Sequence, residues 1–280
     1  DESAKDEKGR QFNCPHCGAP VQVQLSTTKS ITCGSCASII DLSSGVGGEL
    51  RSAEQDDPVR PIIPLGSKGQ LQGVQWQVVG FQHRMGQEPG DDEQFGWSEY
   101  LLYNQKRGFA FLVDAEDGWS MVRPTTGAPQ VGSTGRTATY MGTTYQLKYS
   151  YEAETTYVLG EFYWQVERGQ KTSNRDFASA KGLLSMEQSK NELTWSAGDK
   201  LASDTVVKAF KLDDKKDLLQ RDDPGPFVAA KGLGCGTLIL IAVVLIILLV
   251  LLSNCSGSPG GGYRSSSGSF GGFSTGGGHK

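Results

Sequence analysis

The sequence predicts a mainly β protein with one apolar helix near its C-terminus, and three observations carry that reading. Two Cys-x-x-Cys hooks stand near the N-terminus, a pattern of glycine-led alternating strands occurs twice in the middle, and a long uncharged run follows. Of 280 residues, 37% are apolar and 21% charged, the balance of a chain that folds. Twenty-seven Lys and Arg against 31 Asp and Glu give a net charge of −4, so no global positive field exists to hold a nucleic acid backbone. With three histidines, His16, His83 and His279, well apart in sequence, a multi-His metal centre is disfavoured.

Cys14, Cys17, Cys33 and Cys36 form Cys-Pro-His-Cys-Gly and Cys-Gly-Ser-Cys. Each hook places two thiolates on a tight turn relaxed by Gly18 or Gly34, and four thiolates complete a closed tetrahedral Zn2+ site with no position left for water. Such a zinc is structural and holds about thirty residues that cannot build their own core. Disulfides would require an oxidising compartment, and a redox Cys-x-x-Cys would require a βαβ context that the sequence lacks. His16 is expected to face solvent. Residues 11–42 resemble the zinc-ribbon class, with Val21 to Leu25 alternating as a hairpin strand should. Four basic and four acidic side chains within residues 1–40 make the ribbon neutral, which favours a protein-contact or structural role over nucleic acid binding.

An acidic, Pro-bounded linker is expected over 43–63, then a β module over 64–128 and its repeat over 129–212. Gly66-Ser-Lys-Gly69 leads to Gly73 through Val79, and Gly132-Ser-Thr-Gly135 leads to Gly142 through Lys148. The segments Glu99 to Gly108 and Glu161 to Gly169 form a second match, each a Glu-aromatic strand closed by Arg-Gly. Alternation assigns Val74, Trp76 and Val78 to one strand face, Tyr145, Leu147, Tyr149 and Tyr151 to another, and Phe162, Trp164 and Val166 to a third. A hairpin turn is expected at Asp117-Gly118, and small curled sheets or barrels follow from the short strands. The one helix expected here covers Ser203 to Leu212, capped at Ser203 or Asp204 and facing inward through Val206, Val207 and Phe210.

Glu99 and Glu161 fall on equivalent positions of the proposed repeats, so they form a candidate carboxylate pair for acid/base work or for a polyamine-type cation between the modules. The competing reading pairs them with Arg107 or Arg168. The Gly-Ser-x-Gly turns lack the Lys-Ser/Thr ending of a phosphate loop, and Ser67 and Ser133 lack a positioned His to act as nucleophiles. The five tryptophans read as core.

A juxtamembrane linker is expected over 213–231. From Gly232 to Ser253 no residue is charged, and twenty-two helical residues rise about 33 Å, enough for a hydrocarbon core of roughly 30 Å. A single transmembrane helix is therefore expected at 232–254. Lys211, Lys215, Lys216, Arg221 and Lys231 precede it, whereas Arg264 and Lys280 alone follow, which orients the N-terminal domains to the cytoplasm. The tail, 255–280, is rich in Gly and Ser and cannot bury a core.

Leu65-Gly-Ser67, Trp97-Ser-Glu-Tyr-Leu-Leu-Tyr103, Gly118-Trp119, Gly160-Glu-Phe-Tyr-Trp164, and Leu184-Ser-Met-Glu187 with Trp195-Ser196 resemble an uncharacterised bacterial family, domain of unknown function 4178, over Pro64 to Leu212. The four-cysteine ribbon in front and the membrane helix behind are similar to the layout of its members. The resemblance implies no established activity, but it does imply a role beside phage-shock-like membrane-stress proteins and polyamine-related enzymes. Together these readings give a non-enzymatic, membrane-anchored adaptor that binds other proteins, or alternatively a small-ligand sensor.

Overall fold

The computed structural model describes residues 10–44, 49–52, 55–56 and 58–222. The span and tail expected at 232–254 and 255–280 lie outside these residues. No helix among the described residues is long and apolar enough to cross a membrane.

Strands β1 (Arg10–Asn13) and β2 (Pro20–Val23) form a hairpin around the first cysteine hook. Strands β3 (Ser30–Thr32), β4 (Ile39–Asp41) and β5 (Glu49–Ser52) form a meander around the second. The expected linker thus supplies a paired strand in β5, and further on it buries Ile63 completely.

The central region is built twice from one plan. Strand β6 (Lys68–Leu71) turns through Gln72-Gly73, both at positive φ, into the long β7 (Val74–Gln87). A meander follows of β8 (Gln94–Asn104), β9 (Gly108–Ala115) and β10 (Gly118–Pro124). After the short β11 (Gln130–Val131), β12 (Thr137–Tyr140) turns through Met141-Gly142, again both at positive φ, into β13 (Thr143–Phe162). The meander of β14 (Lys171–Ser179), β15 (Gly182–Gln188) and β16 (Leu193–Leu201) repeats the first.

The two halves do not form separate sheets, as the sequence led us to expect. β7 pairs with β13 and β10 pairs with β16, so eight strands close into one barrel that leaves no free edges between the halves. Closure satisfies the ladder groups that two isolated curled sheets would expose. Each half keeps an apolar cluster on one face. In the first half, Trp76, Phe81, Tyr100, Leu112 and Trp119 are covered by helices α1 (Ser203–Phe210) and α2 (Lys216–Leu219). In the second, Phe177, Leu184, Met186 and Trp195 are covered by Ala138 and Tyr145.

α1 starts where the sequence places it and buries Val206, Val207 and Phe210, roughly 1.5–3 kcal/mol each. Eight residues make a marginal helix in isolation, so docking holds it. Its N-cap is Ala202, without a side-chain cap, in place of the expected Ser203 or Asp204. A bulge between Leu147 and Tyr149 breaks the expected run of four on one face. Tyr145 and Leu147 join the apolar cluster of the second half, and Tyr149 and Tyr151 join a separate one with Trp97.

Candidate metal centre and barrel interior

The two knuckles superpose in their hydrogen bonding. Gly18 N donates to Cys14 O and Ala37 N to Cys33 O, while Cys14 N donates to Ala19 O and Cys33 N to Ser38 O. The left-handed positions are Gly18 at φ 75° and Ala37 at φ 56°. Gly34, expected to relax the second turn, does not adopt positive φ, and Ala37 carries that conformation.

This backbone brings the four sulfurs within 4.8 Å of one another. Cys14 and Cys36 Sγ are 3.8 Å apart, and Cys17 and Cys33 Sγ 3.7 Å. Both separations are far longer than a disulfide of about 2.05 Å. They match the edge of a tetrahedron of sulfurs about 2.3 Å from a central ion, which is about 3.8 Å. The cluster can hold a metal ion.

Electrostatics agrees with that geometry. The Ser38 hydroxyl, 3.1 Å from Cys36 Sγ, is the chief influence that brings that thiol down to about 5. Cys17 is lowered by the Ala19 backbone but raised more by its thiol neighbours, ending near 12. Four thiolates at this spacing repel, so complete ionisation requires a cation among them. His16 is exposed.

The structure does not bring Glu99 and Glu161 together as a pair. Glu99 lies in β8, and Glu161 lies near the end of β13, the strand that corresponds to β7. The true counterpart of β8 is β14. Neither carboxylate pairs with Arg107 or Arg168. The recurring Glu-aromatic-Arg-Gly pattern misaligned the halves because period-2 alternation is the same in every strand.

Glu161 is buried at 6% exposure and accepts hydrogen bonds from Gln24 N at 2.8 Å, Leu25 N at 3.1 Å and Thr28 Oγ1 at 2.6 Å. It binds the loop between the two knuckles. Glu99 accepts from Gln82 Nε2 at 2.5 Å and Trp97 Nε1 at 2.6 Å, and it lies 3.6 Å from the Arg84 guanidinium.

Arg84 is the centre of a buried network that sequence reading did not find. It donates to Glu187 of β15 at 2.5 Å and to Thr172 of β14 at 2.5 Å, and it lies over the Trp97 ring. Its Nε has no hydrogen-bond partner among the described residues. Asp176 accepts from Tyr151 at 2.9 Å and Ser185 at 2.6 Å, and burial pushes its carboxyl above the usual range. These residues occupy the faces opposite the two apolar clusters, so the halves meet there through charge and hydrogen bonds together with the apolar contact of Trp97 with Tyr151 and Ala153. The available signal was the polar pattern of Thr172, Asn174 and Asp176 opposite Ser185 and Glu187, which reads as solvent-facing until the barrel closes.

A cavity of about 540 Å3 lies beside the first half, with His83, Trp97, Ser98, Asp114 and Arg221 among its lining. His83 Nδ1 and Ser98 Oγ are 3.3 Å apart, a pair the sequence search for a nucleophile missed. Register places Ser98 between His83 and Asp114, and Arg221 holds Asp114 through two bonds of 2.6 and 2.8 Å. The carboxylate therefore cannot orient the imidazole as an acyl-transfer triad requires.

At the other end of β9, Tyr103, Phe109, Phe111, Tyr163 and Trp164 form a half-exposed aromatic patch, with the Phe109 and Tyr163 centroids 4.3 Å apart. Four of the five tryptophans are buried as expected, and Trp164 of this patch is the exception.

The family described as Domain of unknown function (DUF4178) matches residues 64–203, half of the chain. This is the barrel from the approach to β6 through the first residue of α1. No curated protein matches, and no solved structure matches.

Proposed function

We propose, from the premise that this chain belongs to the DUF4178 family, that it is a non-enzymatic, membrane-anchored adaptor whose cysteine module holds a structural zinc ion. The observation that carries this reading is that the site residues singled out from the sequence, the four cysteines, Glu99 and Glu161, are engaged within the protein's own structure. The four sulfurs lie within 4.8 Å of one another, Glu161 is spent on the knuckle loop, and Glu99 on the barrel network. What is left for a partner is surface. The patch around Tyr163 and Trp164 combines the side chains that dominate protein interfaces, aromatics partly desolvated and packed on a rigid frame.

Anchoring rests on the uncharged run at 232–254 and the basic residues before it, which favour a cytoplasmic barrel on a bacterial inner membrane. Membrane-stress proteins of the phage-shock type are the partners this reading favours. The test is gentle detergent extraction of the full-length chain from its own cells, with mass spectrometry of co-purifying proteins. It is run beside Tyr163→Ser/Trp164→Ser and Cys14→Ser/Cys17→Ser variants, with zinc measured on each. A stoichiometric partner lost in the patch variant at unchanged zinc content supports the adaptor. Absence of any partner from the wild type contradicts it.

A second reading, a sensor of a small ligand such as a polyamine, is favoured by the cavity beside His83 and Asp114. That cavity belongs to the first half, so this reading moves from the space between the halves to a site beside one of them. Saturable binding to the wild type that Asp114→Asn weakens would support it.

A further inference from the structure

The segment between the two cysteine hooks is held from two sides. Cys17 precedes it and Cys33 follows it directly after β3, so any ion in the cluster fixes both ends. The barrel fixes its middle. Besides the three bonds to Glu161, Lys29 N donates to Phe162 O at 2.8 Å, Val166 N to Ser30 Oγ at 3.1 Å and Gly160 N to Thr32 Oγ1 at 2.7 Å. β3 continues the sheet with Ile31 against Glu161 and Ser30 against Phe162. Ile39, three residues after Cys36, is fully buried with Val79, Leu101, Val158 and Phe162.

We infer that Glu161 is a positioning residue for the metal site, and that metal binding and the order of the β13 end are coupled. A cluster of this size does not hold its fold without the ion. Loss of the ion therefore removes the ordered donors that satisfy a buried carboxylate, and the last residues of β13 lose their partner strand. Linkage makes the effect reciprocal, so weakening the Glu161 clamp weakens metal binding, by at most the factor through which the ion strengthens the clamp. Glutamine keeps the size of Glu161 but offers a single, uncharged acceptor to three donors.

The inference rests on the reading that the four cysteines bind zinc, and one experiment separates the two. Full-length wild type and Glu161→Gln are loaded with zinc and titrated with a chromophoric chelator. Hydrogen exchange is followed at Gly160–Phe162 before and after stripping. Glu161→Gln is expected to lose zinc with an affinity about 5- to 150-fold weaker, the usual range of such coupling. Stripping the wild type is expected to speed exchange at Gly160–Phe162 and to leave the β9–β10 hairpin protected. Zinc affinity within twofold of wild type in a folded variant would overturn the coupling alone. Unchanged exchange at Gly160–Phe162 in stripped wild type would also overturn it, and this arm holds even if the variant fails to fold. A wild-type chain that takes up no zinc would overturn the metal reading and the coupling with it.

Discussion

Ala37 occupies a left-handed backbone position that its counterpart Gly18 fills without strain. A left-handed L-residue costs about 1–2 kcal/mol, and the extra freedom of glycine in the unfolded chain returns roughly 0.4–1. Ala37→Gly should therefore stabilise the metal-loaded protein by about 0.5–1 kcal/mol, read as a higher denaturant midpoint; a lower midpoint would contradict the equivalence of the knuckles. Asp176 poses a different residue-scale problem. Burial raises its pKa in the folded state, so its proton is held more tightly there than in the unfolded chain, and stability falls as pH rises from about 4 through the folded pKa. Asp176→Asn keeps a neutral group in place, so it should be more stable than wild type at pH 7. That advantage should vanish below about pH 4 in paired unfolding curves. At this scale the cysteines were fully legible, because ligand spacing is local. Arg84, Asp176 and Glu187 were not, because only barrel closure turns polar alternation into a buried network.

Strands were legible wherever a turn residue framed them. The Gln72-Gly73 and Met141-Gly142 turns announce the same hairpin twice, and α1 shows its buried side in Val206, Val207 and Phe210. The order of strands after each hairpin was not legible. β13 runs twenty residues against fourteen for β7, and its added length carries Glu161 to the cysteine module. Local alternation contains no information about where a bent strand ends. Gly160 marks the place where β13 crosses close to β7: it has φ 88°, and a Cβ there would lie 2.3 Å from Val79 O. Because the obstacle is backbone and the conformation is left-handed, Gly160→Ala should cost about 3 kcal/mol or more. An unfolding midpoint within experimental error of wild type would show that the crossing is looser than described.

The barrel joins two similar halves through strand pairing, a buried charge network and the Trp97–Tyr151 contact, and it carries a cysteine module. A buried ion pair contributes little beyond what well-packed apolar residues would, but breaking it from one side is expensive. Arg84→Leu leaves Glu99 without its cation and should destabilise by about 3–5 kcal/mol, whereas Arg84→Leu/Glu99→Leu/Glu187→Leu should recover most of that loss. Equal losses in the single and triple variants would mean that the network is held by packing instead of charge. The adaptor reading depends at this scale on a metal centre with no open position. X-ray absorption at the zinc edge of the purified full-length chain tests that claim most directly. One zinc per chain with four sulfur neighbours at about 2.3 Å and no lighter ligand is the expected result. An oxygen or nitrogen ligand replacing a sulfur, with fewer than four sulfurs, would open the site to water and contradict a purely structural role.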